Sequence, residues 1–105
     1  MNATRRAHCR KRAAVFKALG HPTRLFIVEE LAKTERCVCE LTDMIGDDIS
    51  TVSKHLSVLK NAGIVSDQKR GLQVFYSLGV PCIVNFFSCV ESVLEPARPK
   101  AAGRQ

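Results

Sequence analysis

The sequence predicts a mainly α protein with a β-hairpin wing, a winged helix-turn-helix. Three observations carry that prediction. Apolar residues recur at helical spacing in a short segment near 38–45 and a longer one near 50–61, with a tight polar turn between them. After Gly63 the period changes from helical to alternating, as in a hairpin. A last strongly apolar helix follows Pro81. At 105 residues the chain is one domain with room for only a small core.

Residues 1–9 read as a flexible basic arm, and 10–95 as the winged helix-turn-helix domain. The first helix is expected near 10–19, with Ala14, Val15, Ala18 and Leu19 on one face and Gly20 as its stop. Pro22 suits the first turn of the next helix, about 22–33, which turns Leu25, Val28, Leu31 and Ala32 inward, with Phe26 and Ile27 widening the stripe. Lys33 to Arg36 is a polar turn. The short helix then places Leu41, Met44 and Ile45 inward and ends at Gly46. Ser50 is a good N-cap for the second helix of the motif, where Val52, Leu56 and Leu59 share one side. Gly63 can stop that helix in the left-handed conformation. Strands are expected over 64–68 and 73–78, with Val74, Tyr76 and Leu78 alternating and Lys69-Arg70-Gly71 at the tip. The final helix runs from about 80 to 94. Residues 96–105, with Pro96 and Pro99, read as a disordered basic tail.

The net charge of +6 is uneven. Half of the sixteen basic residues lie in 1–12 and 96–105, where there is no acid. The body, 13–95, holds eight basic and ten acidic residues, so it is not a general sponge for nucleic acid. Within it, 50–78 holds Lys54, Lys60, Lys69 and Arg70 against Asp67 alone. A local basic patch of this kind marks a phosphate-facing surface more sharply than an overall pI does; the plainer alternative is a solvated face. No segment could span a bilayer and the start carries no apolar run of signal type, so a cytoplasmic location and no membrane partner are expected.

The outer face of the second motif helix offers Thr51, Ser53, Lys54, His55, Ser57, Lys60 and Asn61, with Ser50 at its start, and no acid. Small hydroxyls let a helix approach a major groove, and lysine reaches phosphate or guanine. Lys69 and Arg70 on the hairpin tip could follow the backbone or enter the adjacent minor groove. The expected partner is double-stranded operator DNA. One copy reads few bases, and helix-turn-helix proteins use two-fold dimers with reading helices about 34 Å apart. The stripe of Cys82, Ile83, Phe86, Cys89, Val90 and Val93 suits the last helix for a homodimer seam flanked by the first helix. With three or four phosphates neutralised per protomer, the salt slope would be roughly −5 to −7.

Five cysteines in a chain expected to be intracellular argue against a structural disulfide framework and leave metal binding, redox chemistry or burial for each thiol. Cys37 and Cys39 open the short helix, where the helix N-terminus and Arg36 favour thiolate. Thiolates select soft ions such as As(III), Sb(III), Cd, Pb, Zn or Cu(I). Two residues apart in a regular helix point about 200° apart, so joint binding is expected to unwind the first turn.

Several stretches then resemble one family: Phe16 to Leu25, Cys37-Val38-Cys39-Glu40-Leu41, Ser50 to Leu59, Gly63-Ile64-Val65, and Gly71 to Leu78. They are similar to the ArsR/SmtB family of metal-responsive repressors over about residues 13–94. The resemblance implies a homodimeric winged helix-turn-helix that leaves its operator when an inducer binds, with Cys37 and Cys39 as ligands of As(III) or another thiophilic metal and no organic cofactor. The close arsenite-sensor pattern has a further cysteine after the leucine, where this chain has Thr42. A third ligand would come from Cys9, Cys82 or Cys89. The family's other site, carboxylates and histidines on the last helix, is missing. A thiol redox or persulfide-responsive repressor of the same fold is the alternative. A thiol enzyme or metal carrier is disfavoured, since there is no Cys-x-x-Cys, no histidine near the thiols in sequence, and no catalytic pattern.

Overall fold

The structure, a computed structural model, describes residues 1–95. The expected disordered tail lies outside the described residues. Asn2 accepts the Arg5 amide at 2.8 Å and starts the first helix, α1, which runs Ala3–Leu19. The expected flexible arm over 1–9 is therefore corrected to helix. Its alanines and arginines are good helix formers, and the cap supplies the start. Nearly all of it stays exposed, so this half of α1 is helical without packing on its own chain.

The second helix, α2, spans Pro22–Lys33, with His21 as N-cap: its Nδ1 accepts the Thr23 amide at 3.1 Å. A two-residue strand, β1 (Arg36–Cys37), replaces the end of the expected polar turn. Then come α3 (Val38–Ile45) and α4 (Ile49–Asn61). Gly46 and Gly63, at φ 87° and 81°, leave these two helices through the left-handed region. The strands β2 (Val65–Arg70) and β3 (Gln73–Leu78) form the hairpin, so its tip is Gly71-Leu72, one residue beyond the expected one. The sheet order is β1-β3-β2, all antiparallel. The last helix, α5, begins at Ile83 and ends at Leu94.

The core lies where α2, α3 and α4 meet the sheet. Ile27, Val28, Leu41, Val52, Leu56, Leu59 and Ile64 are completely or almost completely buried. Met44, expected inward, is 43% exposed at the last turn of α3. Among the described residues one charged side chain is buried: Glu30, held by Lys33 Nζ at 2.9 Å and Arg36 Nη2 at 3.3 Å. No helix among the described residues is long and apolar enough to cross a membrane.

Candidate nucleic-acid interface and thiol pair

The start of α4 is set by an acid. Asp48, not Ser50, is the N-cap: its Oδ1 accepts the Thr51 amide at 3.0 Å and its Oδ2 accepts the Ser50 hydroxyl at 3.3 Å. Hydrogen bonds from the Thr51 side chain and amide hold the Asp48 carboxyl below the usual carboxylate range. Ser50 and Thr51 therefore serve the cap as well as facing out. Beyond them, Lys54, Ser57 and Lys60 are exposed, while Ser53 and His55 are half-buried.

His55 does not stand free on the outer face. Its ring lies 4.4 Å from that of His21, centre to centre, where α4 crosses the start of α2. Burial, then the neighbouring His21 and Arg24, pushes its pKa below the usual histidine value, with Asp47 opposing. Among the expected phosphate-facing cations, two are committed. Lys60 pairs with Asp67 at 3.0 Å. Arg70 forks onto both carboxylate oxygens of Glu35, bonds Gln68 Oε1, and lies 4.8 Å over the Phe75 ring. Lys54 and Lys69 enter no ion pair among the described residues. The Glu35–Arg70 latch has no sequence signal, because it joins residues 35 positions apart.

The thiols sit at the start of α3. Cys37 is its N-cap, in extended backbone (φ −80°, ψ 160°), and completes a capping box: its Sγ accepts the Glu40 amide at 3.3 Å while Glu40 Oε1 accepts the Cys37 amide at 2.9 Å. Cys37 is buried and Cys39 exposed, and a disulfide joins them across Val38, with Cα atoms 5.4 Å apart. The 200° separation expected of two positions within a helix does not apply to this pair. Because Cys37 lies outside the helix proper, both sulfurs converge with α3 intact. Arg36 is also spoken for, by Glu30 and by Glu40 at 3.9 Å, so it adds little charge to the thiols. Cys9, Cys82 and Cys89 are free and exposed. Among the described residues of the single chain, no three His, Cys, Asp or Glu side chains are grouped to hold a metal. The third ligand expected from Cys9, Cys82 or Cys89 is thus not brought to the pair within one chain.

This pair touches the wing. Cys37 is paired with Phe75, and Arg36 with Tyr76, in the β1–β3 ladder. The Gln73 side-chain amide donates toward Cys39 Sγ at 3.7 Å. Elsewhere, α1, α2 and α5 line an open, mainly apolar groove of about 520 Å³ with Phe16, Leu25, Phe86 and Leu94, and with Glu29 and Glu91 also on its lining. Phe16 and Phe86 meet edge to face at 5.6 Å.

A short helix, a turn, a second helix with a polar outer face and a three-stranded wing define the winged helix-turn-helix class. The comparisons narrow the class. The family described as "bacterial regulatory protein, arsR family" matches residues 21–67. An HTH-type transcriptional regulator of Methanocaldococcus jannaschii is 46% identical over 67 residues, 63% of this chain and 75% of that protein. A homolog of the cadmium resistance transcriptional regulatory protein CadC from Staphylococcus aureus is 45% identical over 67 residues, and the chain spans 55% of its length. The solution structure of a homodimeric winged helix-turn-helix DNA-binding domain from Mycobacterium bovis, of a possible ArsR-family regulator, superposes with a TM-score of 0.77. It is 28% identical and the match covers 90% of this chain and 88% of that one. The chain belongs to the ArsR/SmtB family of transcriptional regulators.

Proposed function

We propose that this protein is a cytoplasmic repressor that binds operator DNA as a homodimer and leaves it when As(III), Sb(III) or another thiophilic ion binds Cys37 and Cys39. The carrying observation is that these two sulfurs converge at the start of α3 while α3 remains folded. Reduced, they offer two soft donors at one point, with the helix N-terminus favouring thiolate. A third donor comes from the partner protomer or from outside the protein. Within the 50–78 patch, Lys54 and Lys69 supply the cations not engaged in ion pairs, and the hydroxyls of Ser50, Thr51, Ser53 and Ser57 the polar contacts; His55 supports α4 from behind. Lys60 and Arg70 reach DNA by exchanging Asp67 and Glu35 for phosphate. The groove between α1 and α5 supplies the seam between protomers.

The same geometry gives the signal a route. Cys37 is itself a rung of the β1–β3 ladder, and Glu35, two residues earlier, holds Arg70 of the wing. An ion gripping the pair therefore acts on the wing as directly as on α4. A tenfold loss of DNA affinity needs only about 1.4 kcal/mol of preference for the displaced arrangement.

A second reading has its own observation, the disulfide between Cys37 and Cys39. In a redox repressor an oxidant such as a peroxide takes two electrons from the thiols, the S–S bond forms, and the two thiol protons leave in water. Operator binding by anisotropy separates the readings. With reductant present, As(III) or Cd(II) should release the protein; without metal, peroxide should do so only on the second reading. Cys37→Ser/Cys39→Ser should respond to neither. A double variant that still responds fully would rule out the pair as the trigger.

A further inference from the structure

The first turn of α4 carries a large apolar side chain that stands outside the core formed by the described residues. Ile49 is the first residue of the helix and 58% exposed, while Val52, the next apolar residue, is completely buried. Its two neighbours are occupied by the cap: the Ser50 hydroxyl donates to Asp48 and the Thr51 amide donates to Asp48. Side chains in a helix lean toward its N-terminus, so Ile49 projects past the end of α4. In helix-turn-helix proteins this end of the second helix meets the base edges.

An isoleucine can neither donate nor accept a hydrogen bond. In the major groove it has one favourable partner, the C5-methyl group of thymine. We propose that Ile49 is a specificity-determining residue that packs on a thymine methyl in each operator half-site. The inference rests on α4 being the DNA-reading helix.

The test begins with duplexes selected from a random pool by the full-length reduced protein. Each thymine of the selected site is then replaced in turn by deoxyuridine, which removes only the methyl. One thymine per half-site should matter, with wild type binding about fourfold more weakly when its methyl is gone, the worth of one buried carbon. Ile49→Ala should bind the thymine duplex more weakly and be indifferent to that replacement. The substitution is on an exposed position and alanine favours helix, so the fold is kept; thermal melting of the variant checks this. Wild type that tolerates uracil everywhere, a selected site without thymine in its half-sites, or an Ile49→Ala protein as uracil-sensitive as wild type overturns the proposal. In each of these cases a loss of binding on Lys54→Ala shows that the reading of α4 still stands. If selection enriches no sequence and Lys54→Ala changes nothing, the reading of α4 fails and the role of Ile49 with it.

Discussion

The two sides of this molecule treat apolar residues in opposite ways. Along α4, Val52, Leu56 and Leu59 are completely buried against α2, α3 and the sheet. Along α5, Phe86, Val90, Val93 and Leu94 are 43%, 39%, 81% and 66% exposed, and Phe16 of α1 is 56% exposed. Scattered exposed apolar residues are ordinary, but a contiguous groove of them marks an interaction site. The half built around α4 is finished within one chain. The α1–α5 half is not, and it is the half that a second copy would complete.

That contrast can be tested at both ends. The largest effect is expected in the finished half: Leu56→Ala should cost about 3 kcal/mol of unfolding free energy, read from the urea midpoint, because the site is packed on all sides. Phe86→Glu should leave the folded protomer but weaken self-association by about a hundredfold, since it puts an unpaired charge in an apolar seam; sedimentation at falling concentration measures it. A Phe86→Glu protein that associates as wild type does would move the seam elsewhere. Smaller again is Lys54→Ala, with operator binding about tenfold weaker and a shallower salt slope at unchanged oligomeric state.

The smallest effect is on pH. His55 has a folded pKa below its unfolded value of 6.5, chiefly through burial. The unfolded chain therefore binds the proton first as pH falls, and stability drops from about pH 6.5 downward until the folded histidine also titrates. Above that window the contribution is constant. Urea midpoints between pH 8 and pH 5 should show a modest decline that His55→Asn reduces.

Much of the fold was legible because it is written locally. The helical spacing of Val52, Leu56 and Leu59, and glycines at 46 and 63, fix the helix-turn-helix with little help from the rest of the chain. What was missed depends on partners distant in sequence or on single side chains. The strand β1 is two residues long, too short to show a period, and exists because β3 pairs with it. Residues 1–9 read as a flexible basic arm because they carry no apolar period, yet the Asn2 cap and good helix formers extend α1 through them. Ser50 and Asp48 are both sound caps, and the turn geometry chose the acid. For the candidate site, the thiol pair itself could be read, but not its convergence. That depends on Cys37 standing just before the helix rather than within it. Arg70 was legible as a basic wing residue; its engagement by Glu35 was not.

The capping box at Cys37 has a consequence for how responsiveness is kept or lost. Serine fills an N-cap at least as well as cysteine, so a chain that exchanges Cys37 for serine keeps the start of α3 and its bond with Glu40. On the proposed reading, such a chain goes on holding its operator and no longer answers the inducer. On that reading chemical sensitivity would be a removable layer, since the cap at the start of α3 needs an acceptor atom and not a thiol.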